Sequence, residues 1–262
     1  MTPTHGVETA QLYDHALTNM EDTLHVLVSR VPSPQPVTFK GSLVFRHVEK
    51  TVHQALLQKL ARLVSGLHAA RLLMEAGFVQ EQAALQRILD EITEDISFLA
   101  FSVIFSDKTP LHQAYLDAFF QEEFDPNGTV VSSSGRATIP RKKIRAYIDR
   151  LGSGPKSSSK HLDVTKIVSK TYSGYVHAAS PQIMDMYGGS PPGFHVRGMR
   201  NTPRHREHRA DLWNHFYRGI LAFGFVAKAF GDEQLFGSIR AFADEFARTT
   251  GKDYQSNEWE DS

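Results

Sequence analysis

The longest uninterrupted pattern in the chain is an apolar stripe. Val44, Val48, Val52, Leu56, Leu60, Leu63, Leu67, Ala70 and Met74 recur at spacings of three and four. Such a stripe lines one face of an α-helix, here of about 30 residues. Gly77 follows, and glycine is the residue that most easily takes the left-handed conformation ending a helix. Leu85, Ile88, Leu89, Ile92, Ile96, Leu99 and Val103 then carry a second stripe. Two long stripes with a short turn between them predict an antiparallel helical hairpin, the frame of a bundle.

The other segments have the same period. Leu12, Ala16, Met20, Leu24 and Leu27 predict a helix over Val7 to Val28. The run VPSPQPV, Val31 to Val37, ends it, because prolines cannot sit in a helix interior. Leu111 to Phe120 resumes the pattern after Asp107 to Pro110 breaks it. Leu212, Phe216, Ile220, Phe223, Ala227 and Phe230 form a stripe beginning just after Pro203. Leu235, Ile239, Phe242 and Phe246 form the last one, over Asp232 to Thr249. The expected fold is therefore all-α: a helical bundle built on two long antiparallel helices. The expected organisation is a helix and Pro-rich connector over 1–37 and a helical domain over 38–250. A flexible basic segment is expected at about 125–162 and a disordered acidic tail over 251–262. A short hairpin around Val130 and Val131 is compatible with the pattern.

Cysteine is absent, which excludes disulfides, thiolate zinc sites and a cysteine nucleophile. No apolar run approaches the roughly 20 residues that span a bilayer. The N-terminus lacks the basic and apolar regions of a secretion signal, so a cytoplasmic protein is expected.

Net charge is zero, but the charge is distributed in blocks. Phe78 to Asp125 holds ten acidic residues against two basic ones, and Arg136 to Lys170 holds ten basic against two acidic. Either these blocks pair with each other inside the fold, or the basic ones form a surface for an anion. Pro140 opens a short basic helix with Ile144, Tyr147, Ile148 and Leu151 on one side and Arg141, Lys142, Lys143 and Arg145 on or near the other. Mobile basic segments of this kind occur both on nucleic-acid-binding surfaces and as solvated loops.

Three further stretches carry candidate chemistry. Val164 to Ala179 predicts a helix ending at Pro181, with Val164, Ile167, Val168, Thr171, Tyr172, Tyr175, Val176 and Ala179 on its buried side. Lys170, Ser173 and His177 project together from the other side. There His177 suits general acid–base work and Lys170 suits an anion. The loop YGGSPPG, Tyr187 to Gly193, reads as a lid or as a turn between helices. The cluster HVRGMRNTPRHREHR, His195 to Arg209, leads into the next helix. On that helix His208, Asp211 and His215 share a face, an alternative site for a divalent metal. No cofactor is otherwise expected. Glu91 and Asp95, like Arg71 and Glu75, stand four apart and read as solvated or salt-bridged faces.

Two local patterns carry a resemblance. Arg71-x-x-x-Glu75 on a long helix, followed by Ser173-Gly-Tyr-Val-His177, resembles the layout of bacterial helical proteins grouped near the HEPN-type domains of defence and toxin–antitoxin systems. The seven residues Arg209-Ala-Asp-Leu-Trp-Asn-His215 resemble the Arg-and-His motif of HEPN ribonucleases, and Arg200 to His205 fits it too. The resemblance implies a metal-independent ribonuclease in which Arg209 and His215 face the scissile phosphate at a homodimer interface. It makes RNA or another polyanion the expected partner, met by Arg200, Arg209 and the basic segment. The contrasting expectation is a non-catalytic module that contacts a protein partner.

Overall fold

The computed structural model describes residues 4–124, 135, 137–152 and 172–251, over which the chain is mainly helical. The elements run α1 (Thr4–Val28), β1 (Gln35–Phe39), β2 (Ser42–Arg46), α2 (Val52–Ala76), α3 (Val79–Ile104), α4 (Pro110–Phe120) and α5 (Arg141–Gly152). A helical turn over 172–176 follows, then α6 (Ser180–Met184), β3 (Tyr187–Gly188), β4 (Gly193–Phe194), α7 (Pro203–Ala229) and α8 (Glu233–Thr249). Val130, Val131, Lys170 and the first part of the expected 164–179 helix lie outside the described residues, as do residues 252–262.

The apolar stripes meet in one core. α3 packs against α2 and α7, α1 lies on α2 and α7, and α8 covers α7. Leu56, Leu60, Leu63 and Leu67 of α2 are buried with Leu89, Ile96 and Leu99 of α3. Phe216, Ile220 and Phe223 of α7 and Phe246 of α8 join them. Burying a side chain of this size contributes about 1.5–3 kcal/mol, so the stripes hold the helices together far more than helix propensity does.

The start of the first stripe needs correcting. Val44 is not helical: it sits in β2 opposite Val37 of β1, and Val48 is exposed in the link to α2. The strands turn at Lys40 and Gly41, whose φ values of 49° and 78° are both in the left-handed region that a two-residue hairpin turn requires. Thr51 then starts α2: its side chain accepts from the Gln54 N–H, and the Gln54 side chain accepts from the Thr51 N–H. Val44 and Val48 fit the helical spacing, but a hairpin turn and a helix cap sit on either side of them.

Residues 141–152 form the short basic helix expected after Pro140, here α5, and it packs on α3 through buried Ile144 and Tyr147, so this part of the segment expected to be flexible is a packed helix. One further expectation changes. The helix expected to reach Pro181 stops at 176, where Ala178 takes a φ of 50° and leaves Val176 exposed; Pro181 lies at the N-terminal end of α6 instead.

The loop before α7 is fastened to the end of α2. Gly77 caps α2 with a φ of 81°, and its carbonyl accepts from the Met199 N–H at 2.6 Å. Arg200 Nε donates to the Glu75 carbonyl at 2.7 Å, and His205 Nε2 donates to the Met74 carbonyl at 2.7 Å. The last carbonyls of a helix lack partners within it and carry the negative end of its dipole. The Met199 N–H, the Arg200 guanidinium and the His205 ring satisfy them here. Gly198, at φ 104°, lies so close that a Cβ there would stand 2.6 Å from the Ala76 carbonyl oxygen.

Candidate polyanion site at the head of α7

This fastening holds the N-terminal end of α7 at the surface. Thr202 caps the helix by accepting from the His205 N–H, and Pro203 sits in its first turn, where no donor is lost. Around this end Arg197, Arg200, Arg206 and Arg209 are exposed. Arg204 reaches Asp185 at 2.8 Å and Glu207 at 2.9 Å. The helix adds its positive dipole end to these guanidinium groups.

A cavity of about 290 Å³ opens beside Arg204. Asp185, Tyr187, Gly189, His195, Thr202 and Arg204 line it. Gly188 and Gly193 pair across the small β3–β4 hairpin, which sets Tyr187 opposite Phe194, their rings 5.0 Å apart. The Tyr187–Gly193 loop is therefore a hairpin against the head of α7. Gly189 turns the hairpin with a φ of 87°, in the left-handed region that favours glycine, beside the His195 ring.

Behind the cavity a polar seam runs inward along α7. The Tyr175 hydroxyl donates to Asp185 at 3.2 Å and meets His208 Nε2 at 3.3 Å. His208 Nδ1 lies 3.5 Å from Asp211, which also accepts from the Tyr172 hydroxyl. Further in, His215 Nδ1 is 3.7 Å from Asp90, and Arg218 pairs with the same carboxylate and with Thr93. Burial lowers the pKa of His208, against an opposing pull from Asp211. Burial likewise brings His215 down to about 4, more strongly than the Asp90 charge raises it. Tyr175 is pushed up to about 12, first by burial and then by Asp185. The seam thus holds neutral imidazoles and phenols at neutral pH.

The structure separates several residues that the sequence put together. Arg209 is exposed and within electrostatic reach of Tyr13, whereas His215 is buried on another side of α7. A buried imidazole does not face a phosphate in solvent, so the Arg209–His215 pairing is not assembled in this chain. His177 is exposed, and its N–H donates to the Ser173 carbonyl at 3.1 Å. Arg200 spends its Nε on the end of α2. His208, Asp211 and His215 do not converge as a metal site: His208 turns to Tyr175 and Asp211, and His215 to Asp90. Among the described residues no three His, Asp or Glu side chains gather as metal ligands.

The basic helix α5 is paired internally. Arg141 bonds Glu94 at 2.5 Å and also Asp95, Arg145 bonds Glu94 at 2.8 Å, and Arg150 bonds Asp107. Lys59 of α2 completes the group on Asp95 at 2.7 Å. Of Arg141, Lys142, Lys143 and Arg145, Lys142 and Lys143 are the exposed ones; Arg150 is exposed but paired. Arg71 bridges Glu75 at the expected i,i+4 spacing, whereas Glu91 bridges Arg87 and Asp95 pairs with Arg141 and Lys59.

Sequence reasoning marked the Tyr187–Gly193 loop and the His195–Arg209 cluster but named none of Tyr187, Phe194, His195, Arg197, Arg204 and Arg206 as a site residue. A signal existed: an aromatic residue stands on each side of the Gly/Pro run, as in a hairpin whose ends pair. No helix among the described residues is long and apolar enough to cross a membrane. No protein-family model, no curated protein and no solved structure matches this chain.

Proposed function

We propose that this protein binds RNA through the head of α7, on a helical bundle framed by an antiparallel α2–α3 pair. One observation carries the reading: Arg197, Arg200, Arg206 and Arg209 are all exposed around the N-terminal end of a 27-residue helix. Phosphodiester backbones are held mainly by such cations, and helix N-termini add donors to them. Any strand cleavage at this site would be metal-independent: an RNA 2′-hydroxyl attacks its own phosphorus and gives its proton to His195, the P–O5′ bond breaks with the 5′-oxygen taking a proton from water, and a 2′,3′-cyclic phosphate is left.

The test is binding of labelled single-stranded RNA over a salt series, with and without EDTA, and inspection of the RNA for cleavage. Binding should weaken steeply with salt and survive EDTA. Absence of binding at low salt would sink the reading.

A second reading rests on the β1–β2 hairpin. Leu43 is 71% exposed and Phe45 64%, and Val48 is exposed beside them. Large exposed apolar side chains grouped in this way suit a protein contact. Sedimentation of the wild type and Phe45→Ser tests whether that contact joins two copies: a dimer lost in the variant supports it.

A further inference from the structure

The arginines at the head of α7 do not stand among polar neighbours alone. Tyr187 is 47% exposed and Phe194 50%, and the two face each other across the β3–β4 hairpin with an interplanar angle of 69°. Tyr187 lines the same cavity as Arg204 and His195. Met184 and Val196, one on each side of the hairpin, are exposed as well. An exposed aromatic pair is costly to leave in water unless something covers it. Arg204 lies on the wall of that cavity with Asp185, and Arg197 is exposed three residues beyond Phe194, so cations stand beside the pair and point to an anionic partner.

Single-stranded nucleic acid has both properties required. Its backbone is anionic, and its unpaired bases offer flat apolar faces. Proteins that hold single strands combine a cationic track with aromatic side chains on which bases stack. A duplex keeps its bases inside the stack, so it can use the arginines but not the aromatic rings. A simple polyanion likewise offers nothing to the rings.

We infer that Tyr187 and Phe194 are a stacking platform for unpaired bases, so that the head of α7 selects single-stranded over duplex RNA. This rests on the RNA-binding reading and adds the base-stacking class of ligand to it. The arginines supply the salt-dependent part of the binding and the rings the part that depends on bases. The mouth of the cavity, with His195 and Arg204 on its walls, lies beside the base held by Tyr187.

The experiment compares three probes by fluorescence anisotropy over one salt series, from low to moderate salt: short single-stranded RNA, the same sequence as a duplex, and inorganic polyphosphate as competitor. The proteins are the wild type, Tyr187→Ala, Phe194→Ala and Tyr187→Phe, each checked by circular dichroism. Single-stranded RNA should bind most tightly to the wild type. Loss of one stacking ring should weaken it about tenfold. The salt slope should stay unchanged in the alanine variants, and Tyr187→Phe should bind like the wild type. If both alanine variants bind single strands as tightly as the wild type does, or if polyphosphate competes as well as RNA, the platform is refuted while polyanion binding stands. If none of the probes binds even at low salt, the RNA-binding reading falls as well.

Discussion

Two arginine-rich regions of this chain look alike in the sequence and behave differently in the fold. In α5, Arg141, Arg145 and Arg150 are each paired with carboxylates of α3 or of the turn after it. At the head of α7, Arg197 and Arg206 are exposed, and Arg200 meets a helix-end carbonyl rather than an acid. The cause is the neighbour each segment lies against. α5 packs along the acidic face of α3, which carries Glu94 and Asp95. The loop and head of α7 pack on the C-terminal end of α2, which offers backbone oxygens. A basic sequence therefore becomes a basic surface only where the fold supplies no acid to match it.

The comparison breaks most visibly in stability. Arg141 joins Glu94 and Asp95, and both carboxylates are nearly buried. Arg141→Ala leaves them partly unpaired away from water, a loss on the order of 3–5 kcal/mol. Lys142→Ala, one residue along on the exposed side, should change stability by less than about 0.5 kcal/mol. Urea unfolding of the two variants measures the contrast. Equal midpoints would mean that α5 is not held by its ion pairs.

The next effect comes from the buried end of the polar seam. His215 has a pKa of about 4 in the folded chain because burial disfavours its charge. An unfolded histidine titrates near 6.5. Above pH 6.5 the group is neutral in both states and stability does not depend on it. As pH falls from 6.5 to 4, the unfolded state takes up a proton that the folded state refuses, and stability is lost. The loss reaches about 3 kcal/mol once pH passes the folded value. Burial lowers His208 and His112 too, so they act in the same direction. Denaturation midpoints at pH 7 and pH 4.5 should differ in the wild type and differ less in His215→Gln. An unchanged difference in the variant would place the acid sensitivity elsewhere.

The helices were legible because each buries one face, and burial leaves a period in the sequence. Leu56 to Met74 and Leu212 to Ala227 show this directly. The β1–β2 hairpin was not legible because it is largely exposed, so nothing forces its residues to alternate. The site was legible in part. The arginine cluster was visible as composition, but its sorting depends on long-range contacts. His205 is buried against Met74, 131 positions away, while Arg206 next to it is exposed. The Arg209–His215 spacing fitted a motif, but spacing says nothing of Asp90 and Tyr172, which enclose that imidazole.

The smallest effect on stability should be the largest on binding. Arg197 and Arg206 are exposed and stabilise little, so Arg197→Ala with Arg206→Ala should shift the unfolding midpoint by less than about 0.5 kcal/mol. Each phosphate contact with a single strand contributes about 0.7 to the slope of log affinity against log salt. Removing two such contacts should therefore flatten the slope by about 1.4. Lys142→Ala with Lys143→Ala removes two equally exposed cations from α5, and there the slope should not change. If the lysine pair flattens the slope and the arginine pair does not, RNA lies on the open face of α5. Its arginines would then serve to dock that helix on α3, with its lysines turned to the ligand.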